Sequence, residues 1–143
     1  MVSQSAVPAV AVAYAQSTLA RVDRDAMATR LRHLFGTDRV HRDESLNLAS
    51  AGEMLGLSTH QLSELVNTEF GMGFPRLVRQ YRVDDAKRML IDEPRASVLS
   101  VGLAVGFSSQ STFYAAFKEL VGEVPGAYRQ RLVARADHPE ALT

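Results

Sequence analysis

NLASAGEMLGLS at residues 47–58 and SVLSVGLAVGFS at residues 97–108 share one pattern, which is written twice about fifty residues apart. In each copy a polar residue caps a short helix, a Gly ends that helix, and a Ser caps a longer second helix. The aligned second caps are Ser58 and Ser108. Because an internal repeat indicates a repeated structural unit, the chain is predicted to form two helix-turn-helix units.

Further helices are predicted within and between the two copies. The second helices of the motifs are expected at about 59–70 and 109–120. Pro75 suits the first turn of a helix of about eighteen residues, about 27 Å long, since no breaker follows until Pro94. The predicted fold class is therefore all-α, with two helix-turn-helix units joined by a long linker helix and preceded by one extra N-terminal helix.

Two local features support the repeat. Ser58 and Gln61 match the S-x-x-Q capping box. Gly52 and Gly102 occupy the same slot inside a helix, where Gly costs about 1 kcal/mol relative to Ala. We expect the two helices of each motif to cross there with their backbones nearly in contact.

The N-terminal part is predicted to be separate from the repeat. Residues 1–22 have no Lys or Arg before Arg21, which argues against a signal peptide, so they are expected to be a mobile leader or a linker. In the range 23–45, Asp23 is predicted to cap a helix that ends at Phe35, followed by a loop. Packing on the domain behind it, a dimer contact and a relay from an upstream sensor stay open as roles for this helix.

The composition limits the partners and the chemistry. Residues 46–132 are predicted to form the double helix-turn-helix domain, and residues 133–143 a frayed tail. Sixteen basic and sixteen acidic residues cancel, so a DNA-binding face requires that the charges be segregated. The chain lacks Cys, which excludes a thiolate metal site.

No enzyme, metal or cofactor site is predicted. His41, Asp43 and Glu44 are close in sequence, but no second His or carboxylate pair accompanies them. The chain has no nucleophile elbow, H-E-x-x-H motif or P-loop. About forty residues before Leu46 are too few to enclose a small molecule, so no ligand pocket is expected.

Four segments together resemble the DNA-binding domain of the AraC/XylS (arabinose-regulator) type, over about Leu46 to Leu132. They are Gly56-Leu57-Ser58 with Leu62, Tyr81-Arg82-Val83 with Ala86-Lys87, Gly106-Phe107 with Ser109, Phe113 and Phe117-Lys118, and Gly122 with Pro125 and Tyr128-Arg129. The resemblance implies a cytoplasmic transcription regulator that sets one recognition helix into each of two successive major grooves of double-stranded DNA.

Carried over by position, the resemblance implies two sets of DNA-contacting residues. The base-reading set is His60, Ser63, Glu64, Ser109, Gln110, Ser111 and Tyr114. The phosphate-contacting set is Ser58, Thr59, Asn67, Ser108 and Lys118. Arg82 and Arg129 match family positions that are more often structural than DNA-contacting.

Three of these side chains have a specific chemistry. The Glu64 carboxylate suits the N4 amino group of cytosine, although an ordinary surface charge is the alternative. Gln110 suits bidentate contact with N6 and N7 of adenine, and Lys118 needs only reach and charge to contact a phosphate.

The partners and one alternative function remain open. RNA polymerase, a dimer and an upstream sensor acting through the 23–35 helix are further candidate partners. A weaker likeness, over Tyr14–Phe35 and Leu46–Leu48, links the chain to family members fused to a membrane sensor. The alternative function is a helical protein-interaction module that does not bind DNA, which the neutral charge and Glu64 favour.

Overall fold

Seven α-helices and one 3-10 helix make up the computed structural model, which describes residues 21–137. The helices are α1 (Arg21–Gly36), the 3-10 helix (Val40–Arg42), α2 (Leu48–Leu55), α3 (Thr59–Phe70), α4 (Phe74–Asp92), α5 (Val98–Ala104), α6 (Gln110–Val121) and α7 (Pro125–Asp137). The described residues contain no strand, which confirms the all-α class. Most of the predicted leader, and residues 138–143 of the predicted tail, lie outside the described residues.

The described chain divides into two compact units that are interleaved in sequence. The first unit consists of residues 21–39 and Leu46–Leu77, and the second of Val40–Ser45 and residues 78–137. Each unit contains one helix-turn-helix: α2 and α3 in the first, and α5 and α6 in the second. Helix α4 supplies residues to both units.

The first unit is built on three helices that bury one apolar face each. Leu31 and Phe35 of α1 are buried, as are Leu55 of α2 and Leu62 and Leu65 of α3. Their spacing follows the helical period, so each helix presents one stripe to the shared core. The N-terminal helix therefore packs as part of this core.

The start of α1 differs from the prediction. The helix includes Arg21, so Asp23 lies in its first turn and does not cap it. A carboxylate in the first turn is still favourable, because it lies near the positive end of the helix dipole. Asp23 therefore marks the first turn of the helix and not its N-cap.

The second unit has an aromatic core. Phe113 and Phe117 of α6 are fully buried, and Phe107 from the preceding turn contacts Phe113 with ring centroids 5.2 Å apart. Tyr128 of α7 meets Phe117 edge-on with ring centroids 5.4 Å apart, so the last helix packs back onto this unit. Helix α7 continues to Asp137, beyond the position at which the tail was expected to begin.

Candidate nucleic-acid interface

The turns of the two motifs share one hydrogen-bond pattern. The Leu57 amide donates to the Gly52 carbonyl at 2.8 Å, and the Phe107 amide donates to the Gly102 carbonyl at 3.0 Å. The turn glycine of the first motif, Gly56, is left-handed, with φ 70°. The first helices end differently, however: Gly56 is the C-cap of α2, whereas Val105, with φ −89°, is the C-cap of α5 and Gly106 follows it with φ 117°. The expectation that a Gly ends the first helix of each copy therefore holds for the first copy and was wrong for the second.

The N-caps of the second helices differ as well. Ser58 caps α3, and its hydroxyl accepts from the Gln61 amide at 3.1 Å while the Gln61 side chain accepts from the Ser58 amide, so the capping box is confirmed. In the second motif Ser109 is the cap, and its hydroxyl accepts from the Thr112 amide. The expectation that Ser108 caps α6 was wrong, because one more residue separates Phe107 from the helix.

The paired glycines allow close approach in two different ways. A Cβ on Gly52 would lie 2.6 Å from the carbonyl oxygen of Leu57, which is a backbone contact with the turn. A Cβ on Gly102 would collide with the ring of Phe113 on α6. The close neighbour is therefore turn backbone in the first motif and an aromatic side chain of the second helix in the second motif, and neither is the helix-to-helix backbone contact that was predicted.

The candidate contact residues lie at the surface of their units to different degrees. The exposed ones are Ser58, Thr59, His60, Asn67, Ser108, Gln110, Ser111 and Lys118. The half-buried ones are Ser63, Glu64, Ser109 and Tyr114. None of the twelve is buried, so each unit leaves its set accessible to a partner.

Several of these side chains already make hydrogen bonds or ring contacts within their own unit. The Ser109 hydroxyl bonds the Thr112 hydroxyl at 2.8 Å in addition to its capping bond. The Asn67 amide group donates to the Ser63 carbonyl at 2.9 Å. Tyr114 packs edge-on against Phe113, with ring centroids 6.0 Å apart.

The second helices of the two motifs, α3 and α6, can be aligned by counting residues from their N-caps instead of from the glycines of the turns. Both have 12 residues and both end at a left-handed glycine, so equivalent positions have equal distances from the cap. Under this alignment Glu64 corresponds to Ala115, which is exposed. Ala115 was not among the residues carried over from the family resemblance, so the alignment from the caps adds it as a candidate.

The two second helices carry little positive charge. Within Thr59–Phe70 and Gln110–Val121, Lys118 is the sole Lys or Arg. Arg79, on α4, lies 3.9 Å from Glu119 at the end of α6. Any electrostatic attraction for DNA from these helices therefore depends on Lys118 and on helix N-termini.

Arg82 and Arg129 have structural roles, which confirms the expectation for both. Arg82 donates to the carbonyls of His41 and Asp43, at 2.7 and 2.9 Å. Arg129 donates to the carbonyls of Leu90, Glu93 and Ala96, at 2.9, 3.1 and 2.7 Å. The second set includes carbonyls at the end of α4, where a helix leaves its last acceptors unsatisfied.

Residues 21–137 lack a candidate metal cluster and a candidate membrane span. That part of the chain holds no group of three or more His, Asp or Glu side chains arranged to bind a metal. Among its helices, none combines the length and the apolar character needed to cross a bilayer. The second unit has open surface depressions of about 500 and 340 Å³; the larger is lined by Asp84, Lys87, Arg88, Ile91, Asp92 and Tyr128.

Comparison with known proteins identifies the family. A family model described as a helix-turn-helix domain matches residues 52–131. The HTH-type transcriptional regulator GlxA of Rhizobium meliloti (strain 1021) is 33% identical over 89 residues, and an uncharacterized HTH-type transcriptional regulator, SAS0078, of Staphylococcus aureus (strain MSSA476) is 32% identical over 92. These matches cover 62% and 63% of this chain but only 27% and 12% of the relatives, which are much longer proteins.

Solved structures show the same architecture. The C-terminal domain of AraT, a response regulator from Geobacillus stearothermophilus, is 27% identical with a TM-score of 0.67, covering 73% of this chain and 84% of that one. A transcriptional regulator with an AraC-type DNA-binding domain from Chromobacterium violaceum has a TM-score of 0.66 at 22% identity, covering 83% and 99%, which shows the shared fold. Because the family model matches more than half of the chain, the chain belongs to the AraC-type family of helix-turn-helix DNA-binding domains.

Proposed function

We propose that this chain is the sequence-specific DNA-binding part of a transcription regulator, and that α3 and α6 enter successive major grooves of double-stranded DNA. The observation that carries the proposal is the pair of 12-residue helices, each capped by a Ser after a helix-turn-helix turn. The polar side chains predicted to contact DNA are accessible on both. A helix presented in this way fits the major groove, where each base pair has a distinct donor and acceptor pattern.

The recognition residues of α3 are proposed to be His60, Ser63 and Glu64. Glu64 is half-buried, and its carboxylate suits the amino group of cytosine. Thr59 and Asn67 are proposed to lie near phosphates, together with the N-cap Ser58.

The recognition residues of α6 are proposed to be Gln110, Ser111 and Tyr114, with Ser109 beside them. The alignment from the caps adds Ala115, whose methyl group suits contact with the methyl group of thymine. Lys118 and Ser108 are proposed to contact phosphates.

Selection from a random DNA pool tests this proposal. The protein is expected to enrich a two-part site. Gln110→Ala should relax the preference at one or two positions, at a cost of about 1–3 kcal/mol, whereas Lys118→Ala should weaken binding to all sequences alike. A footprint at low salt with no sequence preference would contradict the proposal and favour the protein-interaction module.

The proposal also covers the cellular location and the protein partners of the regulator. We place the regulator in the cytoplasm, where the DNA of its bacterial relatives lies. Contact with RNA polymerase, dimerisation, and coupling to an upstream sensor through α1 belong to the same proposal. The matched segment is a minor part of the relatives, which leaves room in those proteins for a separate sensor domain.

A further inference from the structure

The segment Val40–Ser45, which we name the strap, belongs to the second unit although it precedes the first helix-turn-helix in sequence. The chain reaches it from α1 and leaves it for α2, both of which belong to the first unit. A short polar segment that takes this route must be held by specific contacts, because its own apolar content is small.

One buried carboxylate provides the main anchor of the strap. Asp85 of α4 is 3% exposed, and its oxygens bond His41 Nε2 at 2.8 Å and the Arg42 guanidinium at 2.8 and 3.0 Å. Burial alone would raise the pKa of Asp85, but hydrogen bonds from Arg42, His41 and Arg88 hold it far below its usual value. A buried charge that is paired and fully hydrogen-bonded in this way fixes the geometry of its partners.

A second anchor acts on the backbone of the strap. The Arg82 guanidinium donates to the carbonyl oxygen of His41 at 2.7 Å and to that of Asp43 at 2.9 Å. Its carbon atom Cζ also lies 5.9 Å from the centre of the Phe107 ring, in the turn before α6. One side chain therefore contacts both the strap and that turn.

The strap itself touches this turn. A Cβ on Gly106 would collide with the His41 carbonyl oxygen and lie 3.2 Å from Cα of Arg42. Gly106 has φ 117°, a conformation that favours glycine. The turn glycine thus lies directly against the backbone of the strap, three residues before the cap of α6 at Ser109.

We propose that the strap is a positioning element for the second recognition helix, with Asp85 and Arg82 as the residues that hold it in place. The inference rests on the proposed function, because it assigns a role in how α6 is presented to DNA. Loosening the strap should free the turn at Gly106 and Phe107, so that α6 loses its fixed orientation. The half of the DNA site bound by α6 should then be affected, and the half bound by α3 should not.

Arg42→Gln is the variant of choice, because the Arg42 side chain is 31% exposed and its loss carries less risk of unfolding than loss of Asp85. Arg88→Gln is the matched control. Arg88 bonds the same carboxylate at 3.1 Å, but it lies on α4 and not on the strap.

Hydrogen exchange tests the structural half of the proposal without DNA. The amides of Gly106, Phe107 and Phe113 are hydrogen-bonded in the turn and the first turn of α6. In Arg42→Gln they should exchange about tenfold faster, as expected from the loss of charge-assisted bonds, and in Arg88→Gln at the wild-type rate. Unchanged exchange in Arg42→Gln, or equal acceleration in both variants, would overturn the proposal.

DNA binding tests the functional half. On probes with one half-site scrambled at a time, Arg42→Gln should lose most of its discrimination at the α6 half-site and keep that at the α3 half-site. Equal losses at both half-sites would overturn the positioning role. If the wild-type protein shows no sequence preference, the proposed function fails, while the exchange experiment still decides whether the strap holds the turn.

Discussion

At Gly52 the missing side chain lets α2 approach the backbone of the turn that follows it. Helix propensity alone favours Ala over Gly by about 1 kcal/mol. The Cβ of Gly52→Ala would, however, lie 2.6 Å from the Leu57 carbonyl oxygen, which cannot rotate away as a side chain could. We therefore expect the variant to lower the free energy of unfolding by about 1–3 kcal/mol, measured by urea denaturation.

Gly126→Ala is the matched control for that substitution. Gly126 lies in α7, and a Cβ there would have no neighbour within 4 Å. The control should be neutral or slightly stabilising. Wild-type stability of Gly52→Ala would show that the turn adjusts more easily than its geometry indicates.

His41 makes the stability depend on pH. Burial lowers its pKa, and the hydrogen bond to Asp85 opposes this only in part. The unfolded chain therefore binds a proton more readily than the folded one, so stability should fall as the pH drops below about 6.5. Asp85 changes the stability in the same direction at lower pH. Its lowered pKa stabilises the fold above about pH 4, and this contribution is lost as the carboxylate is protonated.

Unfolding free energies of the wild type and His41→Gln between pH 8 and pH 5 check this prediction. The wild type should lose stability over that range, and the variant should show a much flatter profile from a lower starting value. His33→Gln, at an exposed His of α1, should keep the wild-type slope. Parallel profiles for the wild type and His41→Gln would contradict the assignment.

At the scale of the element, the caps define the two recognition helices. Ser109 accepts a hydrogen bond from the Thr112 amide, whereas Ser108 is exposed and lies outside the helix. Ser109→Ala should therefore cost about 1 kcal/mol of stability, and Ser108→Ala should cost little. Thermal unfolding of both variants checks this, and a larger loss in Ser108→Ala would restore the alignment based on the glycines.

At the scale of the whole molecule, zero net charge predicts DNA binding with a weak dependence on salt. Lys118 is the sole Lys or Arg of α3 and α6, and Arg82 and Arg129 are committed to backbone carbonyls. Lys118 and the N-termini of α3 and α6, at about half a positive charge each, would neutralise about two phosphates, so at about −0.9 per phosphate the slope of log K against log salt should be about −2.

A salt titration of binding to the selected site measures this slope. Lys118→Gln should make it shallower by about one, whereas Gln110→Ala should leave it unchanged. A wild-type slope of about −6 or steeper would show that arginines outside the two recognition helices contact the DNA.

Signals that act within a few residues were enough to predict the helices. Caps, helix-ending glycines and apolar periodicity work over a turn or two, so α3 was predicted at its observed bounds and α4 to within a residue of its start. The family signature then predicted which faces contact DNA, because it links residue types to positions on those helices.

Other features depend on contacts between residues far apart in sequence, which no local pattern encodes. His41 and Asp85 are 44 residues apart, and the sequence placed His41 in a polar loop without indicating that it is buried against α4. The cap at Ser109 and the alignment of Glu64 with Ala115 likewise became visible only in the folded turn. Local propensities decide where helices form, but burial and hydrogen bonding across the fold decide which polar residues support the structure and which remain available to a partner.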